Sequence, residues 1–203
     1  MSLCSPAVNK PAAFDTPAMK LIILDRDGVI NQDSDDYIKS PDEWQAIPGS
    51  IEAIARLCAA GYSVAVATNQ SGLGRGLFDL DNLEAIHDKM REQVENAGGH
   101  IAGIYYCPHL PTAGCGCRKP APGLLDAIAE DFSTALTGVV FIGDSLKDLQ
   151  AGVERQCRPI LLRTGKGTAH EKRLADEQHQ QVRAADVHDD LASAVDTLLA
   201  TGS

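Results

Sequence analysis

The chain has 203 residues, of which 44% are apolar and 4% aromatic, a size that suits one α/β core rather than two ordinary domains. Its formal net charge of −10 excludes the positive field that binding a nucleic-acid backbone needs. No apolar run approaches the roughly 20 residues that span a bilayer, so the expected protein is neither nucleic-acid-binding nor membrane-embedded.

Residues 1–18 mix Pro, Ala and isolated polar residues without the continuous apolar segment of a secretory signal. They read as a disordered leader before a single domain at 19–203, and the expected compartment is the cytosol. From Lys20 onward, short apolar runs alternate with helical patterns. Strands are predicted at Leu21–Leu24, Ser63–Ala67, Gly103–Cys107, Gly138–Ile142 and Pro159–Leu162. Helices are predicted at Ser50–Ala60, Leu80–Asn96, Gly123–Glu130 and Leu146–Arg155, with weaker patterns at Ala169–Gln178 and Asp190–Leu199. This alternation predicts a doubly wound, Rossmann-like parallel sheet with helices on both faces. The long connection Asn31–Pro48, with Asp33, Asp35, Asp36 and Trp44, reads as a mobile flap.

Sheets of this kind bind ligands beyond the carboxyl ends of their strands, and the conspicuous polar residues fall there. Asp25 and Asp27 follow the first strand in Asp25-Arg26-Asp27-Gly28-Val29-Ile30-Asn31. Two carboxylates at this spacing either converge on a metal, divide nucleophile and acid–base roles, or simply cap the chain that follows. Thr68-Asn69-Gln70-Ser71-Gly72 ends the second strand with donors suited to phosphate oxygens, or with an ordinary helix cap. Arg118-Lys119-Pro120 supplies a guanidinium fork and a point charge, and Asp144 after Gly143 adds a hard oxygen ligand of the kind magnesium takes, while Asp148, one turn further on, either holds a water bound at Asp144 or caps its helix.

Of six cysteines, Cys107, Cys115 and Cys117 cluster around His109. Three thiolates and one imidazole form the ligand set of a closed tetrahedral zinc site, with no open position for catalytic water; paired or free thiols are the alternative. The remaining histidines, His87, His100, His170, His179 and His188, read as surface or helix-face residues.

Taken in this order, the motifs resemble the haloacid dehalogenase superfamily of aspartate-nucleophile phosphatases, from Lys20 to about Gly167. The resemblance implies Asp25 as nucleophile, Asp27 as general acid and base, and Thr68 with Lys119 as phosphoryl stabilisers. It implies magnesium held by Asp25, the Asp27 carbonyl oxygen and Asp144, and structural zinc held by Cys107, His109, Cys115 and Cys117. The interval from Asn69 to Lys119 leaves no room for a cap domain. Substrate contacts are then expected from Asn31, Asp33 and Asp36, from Asn69, Gln70, Ser71 and Arg75, and from Arg118 beside the zinc loop.

Cys-x-His followed by Cys-x-Cys-Arg-Lys-Pro is similar to the zinc-containing branch of heptose-bisphosphate and histidinol-phosphate phosphatases. Tyr105-Tyr106-Cys107-Pro108-His109 and Arg163-Thr164-Gly165-Lys166-Gly167 favour its heptose members. That implies a small phosphorylated sugar as partner, release of the 7-phosphate of a manno-heptose 1,7-bisphosphate (β-anomer), and a role in ADP-heptose and lipopolysaccharide core synthesis. Histidinol phosphate is the alternative substrate, and a phospho-accepting receiver-like signalling domain the alternative class. A shortage of aromatics and of spare apolar stripes suggests a monomer.

Overall fold

The computed structural model describes residues 20–201; the leader expected at 1–18 lies outside the described residues. Six parallel strands form one sheet in the order β3-β2-β1-β4-β5-β6. In chain order they are β1 (Lys20–Leu24), β2 (Tyr62–Asn69), β3 (Ile101–Cys107), β4 (Val140–Gly143), β5 (Arg158–Leu162) and β6 (Asp186–His188). The helices are α1 (Ser50–Ala59), α2 (Ser71–Gly74), α3 (Leu80–Asn96), α4 (Gly123–Asp131), α5 (Leu146–Glu154), α6 (Gly167–Glu171) and α7 (Leu191–Thr201).

The period-2 geometry of β1 explains the two layers. Ile22 and Leu24 pack with Ile54, Leu57, Met90 and Leu198 of α1, α3 and α7. Leu21 and Ile23, pointing the other way, pack with Leu125 and Ile128 of α4. Both faces are covered, so β1 and β2 are apolar at nearly every position until they reach Asp25 and Thr68.

Strand order runs outward from β1 in one direction through β2 and in the other through β4, which places the switch point between β1 and β4. No additional domain is inserted between β2 and α4, where the chain forms α2, α3, β3 and a loop. The segment expected as a flap is tethered at its far end: Trp44 is 1% exposed, and Ile38 and Ile47 join it in burial. Its near end, at Asp33 to Ile38, borders the cleft described below.

Two differences from the predicted elements have physical causes. The helix expected at Ala169–Gln178 is divided into α6 and a 3-10 helix at Glu177–Val182. Leu174 and Val182 are its main apolar anchors, too few for the continuous stripe that stabilises a packed helix. β6, absent from the expectation, is a three-residue edge strand that is never fully buried and so carries no clear alternation.

Candidate active site

The switch point gathers the motif residues. β1 and β4 pair in parallel from Ile22–Val140 to Leu24–Ile142, and Asp25 N–H continues the ladder to the Ile142 carbonyl at 2.8 Å. Asp25 and Asp144 therefore leave adjacent strands at one level. β2 pairs on the other side of β1 as far as Val66, so Thr68 and Asn69 emerge beside them. Gly28, at φ 79°, turns the chain back, and a Cβ at Gly28 or Gly165 would collide with the Asp144 carboxylate. Those two glycines leave the space that carboxylate occupies.

Lys119 is 2% exposed and is the cationic centre of the site. Its Nζ lies 2.9 Å from Asp25 Oδ1 and 2.6 Å from Asp148 Oδ1, and it donates to the Ala67 carbonyl at 2.6 Å. Burial by itself would lower the ammonium's pKa; Asp148 and Asp25 outweigh that and raise it, so the charge stays in place. Asp148 is equally fixed, accepting from Ser145 N–H at 3.0 Å and from the Ser145 hydroxyl at 2.6 Å in the capping box of α5.

Asp27 occupies a different electrostatic environment. Arg26, 1% exposed, donates to it at 2.9 and 3.0 Å from Nη2 and at 3.2 Å from Nε. Asn31 and Gln70 add bonds of 2.9 and 2.8 Å. Burial alone would raise this carboxyl, but Arg26 and then the Asn31 and Gln70 donors hold it below the usual range. Asp25 shifts the opposite way, raised by burial against the attraction of Lys119, with Asp148 repelling it. Two carboxylates two residues apart thus differ in proton affinity, in the sense opposite to the expected roles: the donors around Asp27 hold the expected acid ionised, and burial favours a proton on the expected nucleophile until a cation neutralises the site.

Oxygens of Asp25, Asp144 and Asp148 all lie within 4.8 Å of one another. Burial and then the neighbouring Asp148 and Asp25 charges raise Asp144 as well. Three buried carboxylates facing one ammonium are under-neutralised, and a hard divalent cation bound through oxygen fits the donor set. The second metal centre fits equally well. Cys107, Cys115 and Cys117 Sγ lie 3.3 to 3.7 Å apart, and His109 Nδ1 lies 3.5 Å from Cys107 and 3.2 Å from Cys117. Ligands about 2.1 to 2.3 Å from a central zinc in a tetrahedron have edges close to these values, whereas a disulfide would require sulfurs about 2.05 Å apart. Cys107, Cys115 and Cys117 are all free of disulfides.

The haloacid dehalogenase-like hydrolase model matches residues 24–154, and a second, HAD-hydrolase-like model matches 116–194. The chain belongs to the haloacid dehalogenase-like hydrolases. It is 59% identical, over 72% of its length and 83% of the relative's, to a Pseudomonas aeruginosa protein named D-glycero-beta-D-manno-heptose-1,7-bisphosphate 7-phosphatase. A Bordetella bronchiseptica protein of that name is 53% identical over 89% of this chain and 98% of the relative. The crystal structure of D,D-heptose 1,7-bisphosphate phosphatase from B. bronchiseptica, complexed with magnesium and phosphate, matches with a TM-score of 0.85 at 50% identity. It covers 90% of this chain and 99% of that one.

In this haloacid dehalogenase-like hydrolase, a cleft of about 540 Å³ opens at the strand ends. Asp25, Asp27, Thr68, Lys119 and Asp144 line it, as do Asp33, Asn69, Gln70, Ser71 and Arg118 among the expected substrate contacts. Asn31, Asp36 and Arg75 do not. Asn31 is fully buried and spends its amide on Asp27 and the Gln32 carbonyl; Asp36 is exposed; and Arg75 stacks over Tyr37, 6.0 Å from its ring centre.

Several residues in or behind the wall were not singled out from the sequence. Arg26 is one, although its position between the two aspartates is itself a signal. His87, expected at a surface or on a helix face, lies on the buried face of α3, 1% exposed, with Nε2 3.4 Å from Arg26. His179 is buried too, and His170 lines the cleft. Among the described residues no helix is long and apolar enough to cross a membrane.

Proposed function

We propose that this chain is a phosphoric monoester hydrolase that removes the 7-phosphate of D-glycero-β-D-manno-heptose 1,7-bisphosphate. The observation that carries the reading is the 53% identity, over 89% of this chain, to a relative named for that activity, in a chain whose strand ends assemble Asp25, Asp27, Lys119 and Asp144 in one cleft. Retaining the anomeric phosphate leaves a sugar ready for nucleotide activation, which fits a role in supplying activated heptose for lipopolysaccharide. The enzyme works as a monomer in the cytoplasm.

Asp25 attacks phosphorus; the P–O7 bond breaks, and Asp27 gives its proton to the departing O7. Asp27 then takes a proton from water as that water attacks the aspartyl-phosphate, breaking the bond to Asp25 and releasing inorganic phosphate. Thr68 and Lys119 hold the phosphoryl oxygens, and Lys119 also keeps Asp25 from repelling a dianion. Magnesium, held by Asp25, the Asp27 carbonyl and Asp144, supplies charge neutralisation for the phosphoryl group when bound. Zinc held by Cys107, His109, Cys115 and Cys117 fixes the loop from which Arg118 and Lys119 extend.

The five-residue interval between His109 and Cys115 is the one feature that favours histidinol phosphate. Comparing kcat/KM for the two substrates tests the assignment: heptose bisphosphate is expected to be preferred, and a preference for histidinol phosphate would overturn it.

A further inference from the structure

Of the three clustered carboxylates, Asp25 and Asp148 are each paired with Lys119, whereas Asp144 has no cationic partner among the described residues. The one donor to its carboxylate among those residues is a main-chain group, the Lys166 N–H, 2.8 Å from Oδ2. A carboxylate held this lightly takes its direction from whatever fixes Lys166.

Lys166 ends the short segment Arg163–Lys166 between β5 and α6, which is anchored at several points. Arg163 donates to Glu171 at 2.7 and 2.8 Å and to Asp189 at 2.6 Å, and its N–H reaches the His188 carbonyl at 2.9 Å. The Lys166 ammonium lies 3.2 Å from Asp33 and 3.1 Å from Asp35, an exposed and therefore weaker hold. Gly165, at φ 54°, lets the segment pass close to the site, because a Cβ there would collide with the Asp144 carboxylate and come within 2.7 Å of Gly28 Cα.

Thr164 makes the contact that joins two loops. Its hydroxyl donates to the Gly28 carbonyl at 2.6 Å. Gly28 directly follows Asp27 in the turn that carries Asp25, and Lys166 is only two residues beyond Thr164. One side-chain bond thus ties the turn after β1 to the group that directs Asp144. The bond needs a donor, which serine retains and the isosteric valine lacks.

We infer that Thr164 is a positioning residue for the magnesium site: acting on the Gly28 carbonyl and through the Lys166 N–H, it holds the turn after β1 and Asp144 at the separation that one divalent cation requires. The inference rests on Asp144 as a magnesium ligand, as proposed above, and adds the residue that aims it. Groups that orient a metal's ligands commonly govern its affinity by about tenfold or more.

The test uses the full-length, zinc-loaded enzyme and Mn²⁺, which takes the same oxygen ligands as magnesium and whose free form is counted directly by electron paramagnetic resonance. Thr164→Val is expected to raise the Kd for Mn²⁺ about tenfold, Thr164→Ala to do the same, and Thr164→Ser to keep the wild-type value. An unchanged Kd in Thr164→Val, even beside a lower metal-free melting temperature, overturns the inference. A rise confined to Val, or one that persists in Ser, overturns it as well, since the hydroxyl would not be its cause. Asp144→Asn separates the two readings. Wild-type affinity in that variant overturns Asp144 as a ligand and the inference with it, whereas lost affinity there beside an unchanged Thr164→Val overturns the inference alone.

Discussion

Asn69 and Lys119 hold each other through two hydrogen bonds of 3.1 Å, the Asn69 amide donating to the Lys119 carbonyl and its oxygen accepting from the Lys119 N–H. The end of β2 thereby fixes the backbone that carries the central ammonium. Replacing Asn69 with Ala leaves a partly buried peptide unit unpaired, expected to cost about 1–3 kcal/mol of stability. Because the charge is aimed through this contact, kcat should fall by about tenfold or more. Thermal unfolding and steady-state kinetics check both; an unchanged kcat would remove the positioning role.

Asp25→Asn should leave the fold intact and lower turnover of any phosphate monoester by at least about a thousandfold, since no other carboxylate takes its place as nucleophile. Retained turnover in a purified, folded variant would dismiss the covalent route.

Asp148 joins two structures, the ion pair with Lys119 and the cap of α5. Asp148→Ala removes both while Lys119 stays buried, so a loss of about 3 kcal/mol or more is expected in denaturant unfolding. A loss below about 1 kcal/mol would mean that Asp25 alone neutralises the ammonium.

Zinc should co-purify at one ion per chain, measurable by atomic absorption. Cys117→Ser or prolonged chelation should lower the melting temperature and also reduce kcat, because Lys119 lies only two residues beyond the last thiol. Stability lost without any change in kcat would show that the ion does not set the direction of Lys119.

His87 gives a pH dependence with a definite sign. Burial, then Arg26 and Arg91, lower its pKa from 6.5 to about 3; Asp27 opposes them, and Glu84 lies 3.9 Å from its Nδ1. The unfolded chain therefore binds a proton that the folded one refuses between those values, and stability falls as pH drops below 6.5. The slope from this residue is about 1.4 kcal/mol per pH unit until the folded value is approached. His87→Asn should flatten the acid limb of a melting-temperature profile, and identical limbs would contradict the buried neutral imidazole.

The sheet and its strand-end residues were legible because apolar runs stop abruptly at Asp25, Thr68 and Gly143, a change of character that sequence displays directly. The cysteine cluster was legible because its ligands are close in the chain. What escaped depends on distant partners. Nothing near Asp148 reveals that it faces Lys119, and nothing around His87 shows that a buried guanidinium comes within 3.4 Å of its ring. Arg26 is hidden differently: a charged residue is expected outside, and only its fork of bonds to Asp27 makes full burial tolerable.

In the β2–β3 ladder, Cys107 stands opposite Asn69, and its carbonyl accepts the Gln70 N–H at 2.8 Å. The first thiol of the cluster is therefore stitched to the same rung as the residue that steadies Lys119, and the last thiol is two residues from that lysine. Residues 110 to 114 hang between clasped ends. Leu110, Pro111 and Gly114 of this stretch line a small cavity together with Arg118 and Lys119, so the clasp at either end also sets one wall beside the central ammonium.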